Sequence, residues 1–323
     1  MAKKKRITKA KAKPQNKKAR KQKNEKRDYM MLFLKLFFVV TLILVILYYM
    51  TRYNNRYQPE PAKQEYVQEE QPQTPITKQN EVVPQKKQKR AVVTYSNLEI
   101  PKWETTTTQQ KITNQGYTSS YNTTYGIPNW VAYELTRSEA ASQAAERTNN
   151  FKPDPKVKGK SATNSDYKGS GYDKGHMAPA ADMRWSKNVM EESFYFTNLC
   201  PQAPGLNRGA WKDLEEEIRD WAIRDSAIVV ICGPLFTKEQ VQYIPNTTVA
   251  IPDAYFKVVC SPYTEEARAI AFVFPNSKAS KHPREYVVTI DSVEKMTGMD
   301  FLSQLPDEIE NKIEQTSNYT HWE

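Results

Sequence analysis

The most informative stretch of the chain runs from residue 173 to residue 215. It contains Asp173-Lys174-Gly175-His176-Met177-Ala178-Pro179, then Asn198-Leu199-Cys200-Pro201-Gln202, then Leu206-Asn207-Arg208-Gly209-Ala210-Trp211, and finally Leu214-Glu215. It includes one of the three histidines in the 323-residue chain. A histidine that titrates near neutrality is suited to take a proton from water, and amide or carboxylate oxygens suit a hard divalent cation. This set of residues indicates phosphodiester hydrolysis, which needs an attacking water and positive charge at the phosphorus centre.

A helix is predicted to follow the third motif. Its apolar residues recur at helical spacing: Trp211, Leu214, Ile218, Trp221 and Ala222. Asn207 lies where this helix is expected to begin, and asparagine is a favourable N-cap residue. Glu215 lies eight residues further on, roughly 80° around the axis. We therefore expect Asn207 to bind the metal and Glu215 to hold waters around it.

The three motifs resemble, in order and separation, the active-site segment of the DNA/RNA non-specific endonucleases. That family includes mitochondrial endonuclease G and secreted bacterial sugar-nonspecific nucleases. The resemblance covers roughly residues 115–305 and implies a nuclease that cuts both DNA and RNA. It implies His176 as the general base and Asn207 as the ligand of one Mg²⁺, with Mn²⁺ left open. Asn198 and Lys174 would orient the site and stabilise the phosphate.

Four basic residues are candidates for contacts with phosphate. Lys174 stands where the family usually has arginine, so the charge is kept but the bidentate fork is lost. The family usually has a phosphate-binding arginine near Arg147, although a surface arginine is the alternative there. Arg184 is either a second phosphate contact or a structural residue, and Arg208 lies inside the third motif.

The positive charge of the chain is concentrated at its beginning. Residues 1–28 contain 14 lysines and arginines against two acidic residues, whereas the whole chain has a net charge of +10. The remainder of the chain is therefore slightly acidic. Attraction of phosphate to the catalytic region must come from local basic side chains rather than from net charge.

Residues 29–51 form a nearly continuous apolar run, which has the length of a transmembrane helix. The preceding basic tail, residues 1–28, predicts a cytoplasmic N-terminus by the positive-inside rule. A cleaved signal peptide is the alternative, but small residues typical of a cleavage site do not follow the run. We therefore expect a single-pass anchor in the inner membrane with the following domain in the periplasm.

Two further segments follow the anchor. Residues 52–91 are rich in Gln, Glu, Pro and Lys, which predicts a disordered stalk. Residues 92–323 are predicted to form the catalytic domain.

Alternating and apolar runs predict strands within residues 116–121, 130–135, 227–236, 254–260, 267–274 and 286–289, with a turn at 126–129 and a short extended piece at 98–101. Helices are predicted at 138–147, 291–297 and 307–315. The pattern predicts an α+β fold with a central, mostly antiparallel sheet flanked by helices. The resemblance implies that the active site lies on a ββα-metal element.

The three cysteines are an odd number, so at least one thiol is free outside the cytoplasm. Cys232 and Cys260 lie in apolar strands and are expected to be buried thiols.

Two other functions remain open at this stage. One is a non-catalytic surface receptor that captures nucleic acid, and the other is a stalked scaffold that binds only protein. The family resemblance also implies a homodimer as a further partner state.

Overall fold

The computed structural model of the chain describes Met30 and residues 95–104, 108–278 and 282–323. The chain divides into two units, Met1–Gln85 and Lys86–Glu323, and every described residue except Met30 lies in the second. The predicted basic tail, most of the predicted anchor and the predicted stalk lie outside the described residues. Among the residues that are described, none belongs to a helix long and apolar enough to cross a membrane.

A seven-stranded antiparallel sheet forms the centre of the second unit, with strand order β1-β2-β3-β6-β9-β10-β11. Its strands are β1 Gln109–Thr113, β2 Thr118–Asn122, β3 Ile127–Thr136, β6 Ala227–Leu235, β9 Ala254–Ser261, β10 Arg268–Pro275 and β11 Val287–Val288. Two smaller pairs are β4 Asp173–His176 with β5 Leu199–Gln202, and β7 Gln242–Tyr243 with β8 Ala250–Ile251. The predicted mixed fold with a large antiparallel sheet is confirmed.

Seven α-helices accompany these strands within the described residues of the second unit: α1 Arg137–Ala140, α2 Asn164–Tyr167, α3 Lys187–Glu192, α4 Pro204–Asn207, α5 Ala210–Asp225, α6 Ile290–Thr297 and α7 Asp307–Glu314. Local sequence explains several of their ends. Thr136 and Glu139 form a capping box at the start of α1. Thr289 caps α6, and Gly298 ends it with a φ of 68°, a conformation that suits glycine.

Both faces of the central sheet are covered. Successive side chains of a strand point to opposite faces, and β6 shows this directly because Val230 packs in one apolar cluster and Val229 in another. The first cluster includes Trp211 and Leu214 of α5, and the second includes Val293 of α6 and Ile313 of α7. The second unit is therefore layered as helix, sheet and helix, with α5 on one face and α6 and α7 on the other.

The strands β4 and β5 pair antiparallel on the α5 side and are followed directly by α4 and α5. This β-β-α unit contains all three motifs of the sequence. Gly175 is required in it, because a Cβ there would lie 2.0 Å from the side-chain oxygen of Gln202.

Several local predictions differ from the structure. The predicted turn at 126–129 is displaced, because β3 already begins at Ile127. The predicted extended piece at 98–101 is a turn that buries Leu98 and is closed by a bond from Ile100 N to Asn97 O of 3.0 Å. The predicted helix at 138–147 ends at Ala140.

Candidate active site

The strand β4 presents two sets of side chains. Because neighbouring residues of a strand point to opposite faces, Lys174 and His176 share one face. Both contact Phe151: the Lys174 ammonium lies 4.1 Å from the ring centroid, and the His176 ring centroid lies 5.8 Å away. Lys174 also donates a hydrogen bond of 2.9 Å to Asn164 Oδ1. The structure therefore places the lysine and the histidine of the first motif around one aromatic ring.

The imidazole of His176 is buried, with 8% of the residue exposed. Its ring packs edge-on against Phe194 with centroids 4.9 Å apart. Its Nε2 atom makes no hydrogen bond with any residue that the structure describes. Burial, together with the positive charge of Arg147, lowers the pKa of His176 to about 3. The ring is therefore neutral at physiological pH, which is the form that can accept a proton.

Arg147 lies next to this imidazole. Its guanidinium is 5.1 Å from the Phe194 ring centroid, and its Nε donates a hydrogen bond of 2.8 Å to Asn149 Oδ1. It interacts electrostatically with both His176 and Glu215. The structure thus brings the predicted arginine to the same site as the predicted base and carboxylate.

Arg184 has a different position. Its Nε donates to the Ala145 carbonyl at 3.3 Å, and its own carbonyl accepts from Ala145 N at 2.8 Å. These contacts brace the segment that leads to Arg147. They support the structural alternative for Arg184 and leave its predicted contact with substrate a prediction.

Asn198 is fully buried, and its side-chain amide is engaged on both sides. Oδ1 accepts from Ala178 N, and Nδ2 donates to the carbonyls of Ala178 and Ser193, all at 2.8 Å. Its backbone carbonyl also accepts from Met177 N at 2.9 Å. Asn198 therefore orients the backbone that follows His176, which agrees with the orienting part of its predicted role.

Asn207 is the last residue of the short helix α4, and the prediction that it caps α5 is wrong. The residue before α5 is Gly209. Pro204 favours a separate turn of helix because its fixed φ suits a helix start. Asn207 Nδ2 donates to Asp173 Oδ2 at 2.9 Å, so the amide is held by the first strand of the unit.

Asp173 also binds Arg208. Arg208 Nε and Nη2 donate to the two carboxylate oxygens at 2.9 and 2.7 Å. Burial alone would raise the pKa of Asp173, but the hydrogen bonds from Arg208 and Asn207 hold it below its usual range. No role was predicted for Asp173 from the sequence, although its position in the first motif could have marked it as a candidate site residue. The Arg208 side chain remains 72% exposed.

Helix α5 is fastened to the same strand. Trp211 Nε1 donates to the His176 carbonyl at 3.2 Å. The predicted apolar stripe of this helix, which begins at Trp211, is buried throughout. Glu215 lies one turn beyond Trp211 and is partly buried. Burial raises the pKa of Glu215 to about 7, and the nearby Lys257 ammonium acts in the opposite direction.

A network of buried charged side chains, which the sequence did not predict, lies close to Glu215. Lys257 on β9 is fully buried, and its ammonium lies 4.0 Å from the Trp211 ring centroid. Asp182 is also fully buried and accepts hydrogen bonds of 2.8 Å from Tyr133 and Arg219. In the sequence, Lys257 is the single lysine of a largely apolar strand. A charged side chain at such a position is rarely buried without a local role, so this feature could have marked Lys257 as a candidate.

All three cysteines are buried free thiols, as predicted for Cys232 and Cys260. Burial raises the pKa of Cys200 well above its usual range. A thiolate nucleophile at Cys200 is therefore not supported.

The fold and this β-β-α site define a class of proteins that comparison identifies directly. The family model for DNA/RNA non-specific endonucleases matches residues 94–308. The chain belongs to this family.

Individual relatives agree with that assignment. The mitochondrial nuclease EXOG of Xenopus laevis is 38% identical over 201 residues, which cover 58% of this chain and 56% of the relative. A nuclease of Nostoc is 34% identical and the match covers 61% of this chain and 75% of the relative. Human mitochondrial endonuclease G is 34% identical, with 54% and 64% covered. This chain thus spans little more than half the length of the Xenopus relative.

A solved structure has the same fold. The crystal structure of the EndoG/EndoGI complex superposes with a TM-score of 0.58 at 30% sequence identity, covering 61% of this chain and 86% of that one.

Proposed function

We propose that residues 92–323 form a Mg²⁺-dependent endonuclease that hydrolyses phosphodiester bonds of DNA and RNA with little sequence preference. The observation that carries this proposal is the buried, neutral imidazole of His176, whose Nε2 is free of hydrogen bonds with the described residues. It lies beside Arg147 and on the strand to which Asn207 and Trp211 are fastened. The names of the relatives, which are nucleases, support the same reading.

In this proposal the neutral imidazole of His176 accepts a proton from the attacking water. A base with a pKa of about 3 is weak, but part of this weakness comes from the charge of Arg147. A phosphodiester anion bound to Arg147 would offset that charge and make the imidazole more basic as substrate binds. Lys174, on the same face of β4, supplies further positive charge for the phosphate.

The donor groups at the site fit a hard divalent cation. Asn207 Nδ2 donates a hydrogen bond to Asp173. The Asn207 Oδ1 atom therefore points away from that carboxylate and is available as a neutral oxygen ligand. Glu215 adds a carboxylate that can orient waters around the ion. Bound Mg²⁺ would supply positive charge for the phosphorus centre and the leaving oxygen, and Mn²⁺ suits the same donors.

A plasmid-nicking assay, run in parallel with an RNA substrate, tests the proposal. We expect cleavage of both substrates in Mg²⁺, loss of cleavage in EDTA, and a decrease of about 10²–10⁴-fold in His176→Ala. His282→Ala is the matched control, because His282 is half-exposed and pairs with Glu217. Cleavage that persists both in EDTA and in His176→Ala would eliminate this mechanism. Binding without cleavage would favour the nucleic-acid receptor instead.

We also propose that residues 29–51 anchor the protein in the inner membrane, with residues 1–28 in the cytoplasm and the nuclease domain in the periplasm. The apolar run and the asymmetry of basic charge support this orientation. Protease added to spheroplasts should degrade the domain and leave a tag at the N-terminus intact. The opposite pattern of protection would refute the orientation.

A further inference from the structure

Three carboxylates meet on the face of the sheet opposite the candidate active site. Asp291 and Glu294 are on α6, three residues apart, so they lie on one side of that helix. Glu314 is the last residue of α7. One oxygen of each residue lies within 4.8 Å of the others.

Glu314 is the most informative member of this cluster. Only 6% of the residue is exposed, and its Oε1 makes no hydrogen bond with any residue that the structure describes. A buried carboxylate oxygen without a partner is costly, because it has lost its water and gained nothing in exchange. A buried, unpaired carboxyl oxygen on a residue that shares a cluster with two other carboxylates is stabilised either by a proton or by a bound cation.

The protein itself does not supply that positive charge within its described part. No ion pair joins a described lysine or arginine to Asp291, Glu294 or Glu314. The ion pair between Lys102 and Asp300, at 3.4 Å, includes none of the three carboxylates and is largely exposed.

The Glu294 carboxylate is already oriented by the backbone. Its Oε1 accepts a hydrogen bond of 2.8 Å from Phe301 N. That bond limits the rotation of the carboxylate, which lowers the entropic cost of binding an ion at this position.

We propose that Asp291, Glu294 and Glu314 bind a divalent cation of the Ca²⁺ type, separate from the metal of the active site. Ca²⁺ takes oxygen ligands at about 2.3–2.6 Å, so oxygens bound to one ion can be up to roughly 5 Å apart. Mg²⁺ holds its ligands at about 2.0–2.1 Å in strict octahedral geometry and keeps several waters, which suits an all-carboxylate cluster less well. The ion would join α6 to the end of α7 and stabilise the C-terminal layer.

Thermal unfolding of the purified full-length chain in detergent tests this site. The protein is stripped with EDTA, dialysed, and titrated with CaCl₂. We expect Ca²⁺ to raise Tm with a dissociation constant of about 10⁻⁴–10⁻³ M, as in extracellular modules. Glu314→Gln keeps the shape of the side chain and removes its charge, and it should weaken Ca²⁺ binding at least ~10-fold.

Two controls separate this site from others. Glu308→Gln changes an exposed residue of the same helix and should bind Ca²⁺ like the wild type. Asn207→Ala alters the candidate active site and should keep the Ca²⁺ response. Failure of Ca²⁺ to raise Tm in the wild type, or an equal response in Glu314→Gln, would overturn the proposal. Neither result bears on nicking in Mg²⁺, which tests the nuclease itself.

Discussion

His176 shows how one residue is prepared for proton transfer by its surroundings. Its ring packs against both Phe151 and Phe194, so charging it would place a cation in an apolar environment beside Arg147. Burial is the larger cause of its low pKa and the charge of Arg147 the smaller. The two causes can be separated, because only the second is removed by mutation of the arginine.

We predict that the His176 ring of the metal-free protein stays neutral from pH 8 down to about 4, which is about one unit above its pKa. In Arg147→Ala the pKa should rise, because a repelling charge is gone, but it should stay below its ordinary value because the burial remains. NMR titration of the imidazole measures the pKa of His176 in the wild type and in Arg147→Ala. Lys187→Ala removes an exposed charge elsewhere and should change nothing. An unchanged His176 pKa in Arg147→Ala would contradict the electrostatic link.

Asp173 is the residue through which the first and third motifs meet. It accepts a hydrogen bond from Asn207 and two from Arg208. Groups that orient a metal ligand typically affect metal affinity by about 10–100-fold when mutated. The carboxylate should therefore affect the metal requirement without touching substrate.

We predict that Asp173→Asn raises the Mg²⁺ concentration for half-maximal cleavage by about 10–100-fold, with much of the rate recovered at high Mg²⁺. Arg208→Ala keeps the bond between Asp173 and Asn207, so it should leave the Mg²⁺ requirement nearly unchanged and weaken substrate binding instead. Mg²⁺ titrations of the nicking rate measure both variants. Equal Mg²⁺ requirements in wild type and Asp173→Asn would show that Asp173 does not position Asn207.

At the scale of the element, the indole of Trp211 joins helix α5 to strand β4. Trp211 donates to the His176 carbonyl, and its ring covers the buried Lys257 ammonium. Loss of the donor would leave a buried carbonyl unsatisfied, which costs about 1–3 kcal/mol. The same loss would loosen the helix that carries Glu215.

We predict that Trp211→Phe lowers the free energy of unfolding by about 1–3 kcal/mol and also reduces kcat in excess Mg²⁺. Trp221→Phe is the matched control, since Trp221 is buried on the same helix but packs against Trp322 and Tyr319. Trp221→Phe should lower the free energy of unfolding without changing kcat. Urea unfolding and initial rates measure the two quantities, and equal kcat losses would show that the contact with His176 has no special role.

Elements with strong periodicity were predicted from sequence, and short ones were not. The apolar stripe of α5 and the strand at 227–235 follow from hydrophobic pattern alone. The start of α5 was misplaced because Pro204–Asn207 forms its own turn, which contains a single fully buried residue, Leu206, and so no periodic stripe. The roles of Asp173 and Lys257 could not be predicted, because each depends on a contact between segments far apart in the chain.

At the scale of the whole molecule, the charge is divided between two regions. Residues 1–28 carry a net charge of +12 (14 − 2), which exceeds the +10 of the whole chain, so the rest of the chain is slightly acidic. If the domain binds nucleic acid through local side chains, the predicted phosphate contacts are Lys174, Arg147, Arg208 and Arg184. Binding to DNA releases about 0.9 counterion for each phosphate neutralised. The salt dependence of binding therefore reports how many basic residues participate.

In a His176→Ala background, which prevents cleavage, we predict that the chain without residues 2–28 binds DNA with a slope of log K against log salt of about −2 to −4. The full chain in detergent should show a steeper slope, because its tail is then also accessible to DNA.

Reconstituted in vesicles with the domain facing outward, the full chain should return to the smaller slope, since a membrane would separate the tail from the substrate. Fluorescence anisotropy at several salt concentrations measures all three. Equal slopes for the two chains in detergent would show that the tail does not bind DNA. A steep slope in vesicles would show that the tail and the domain lie on the same side of the membrane.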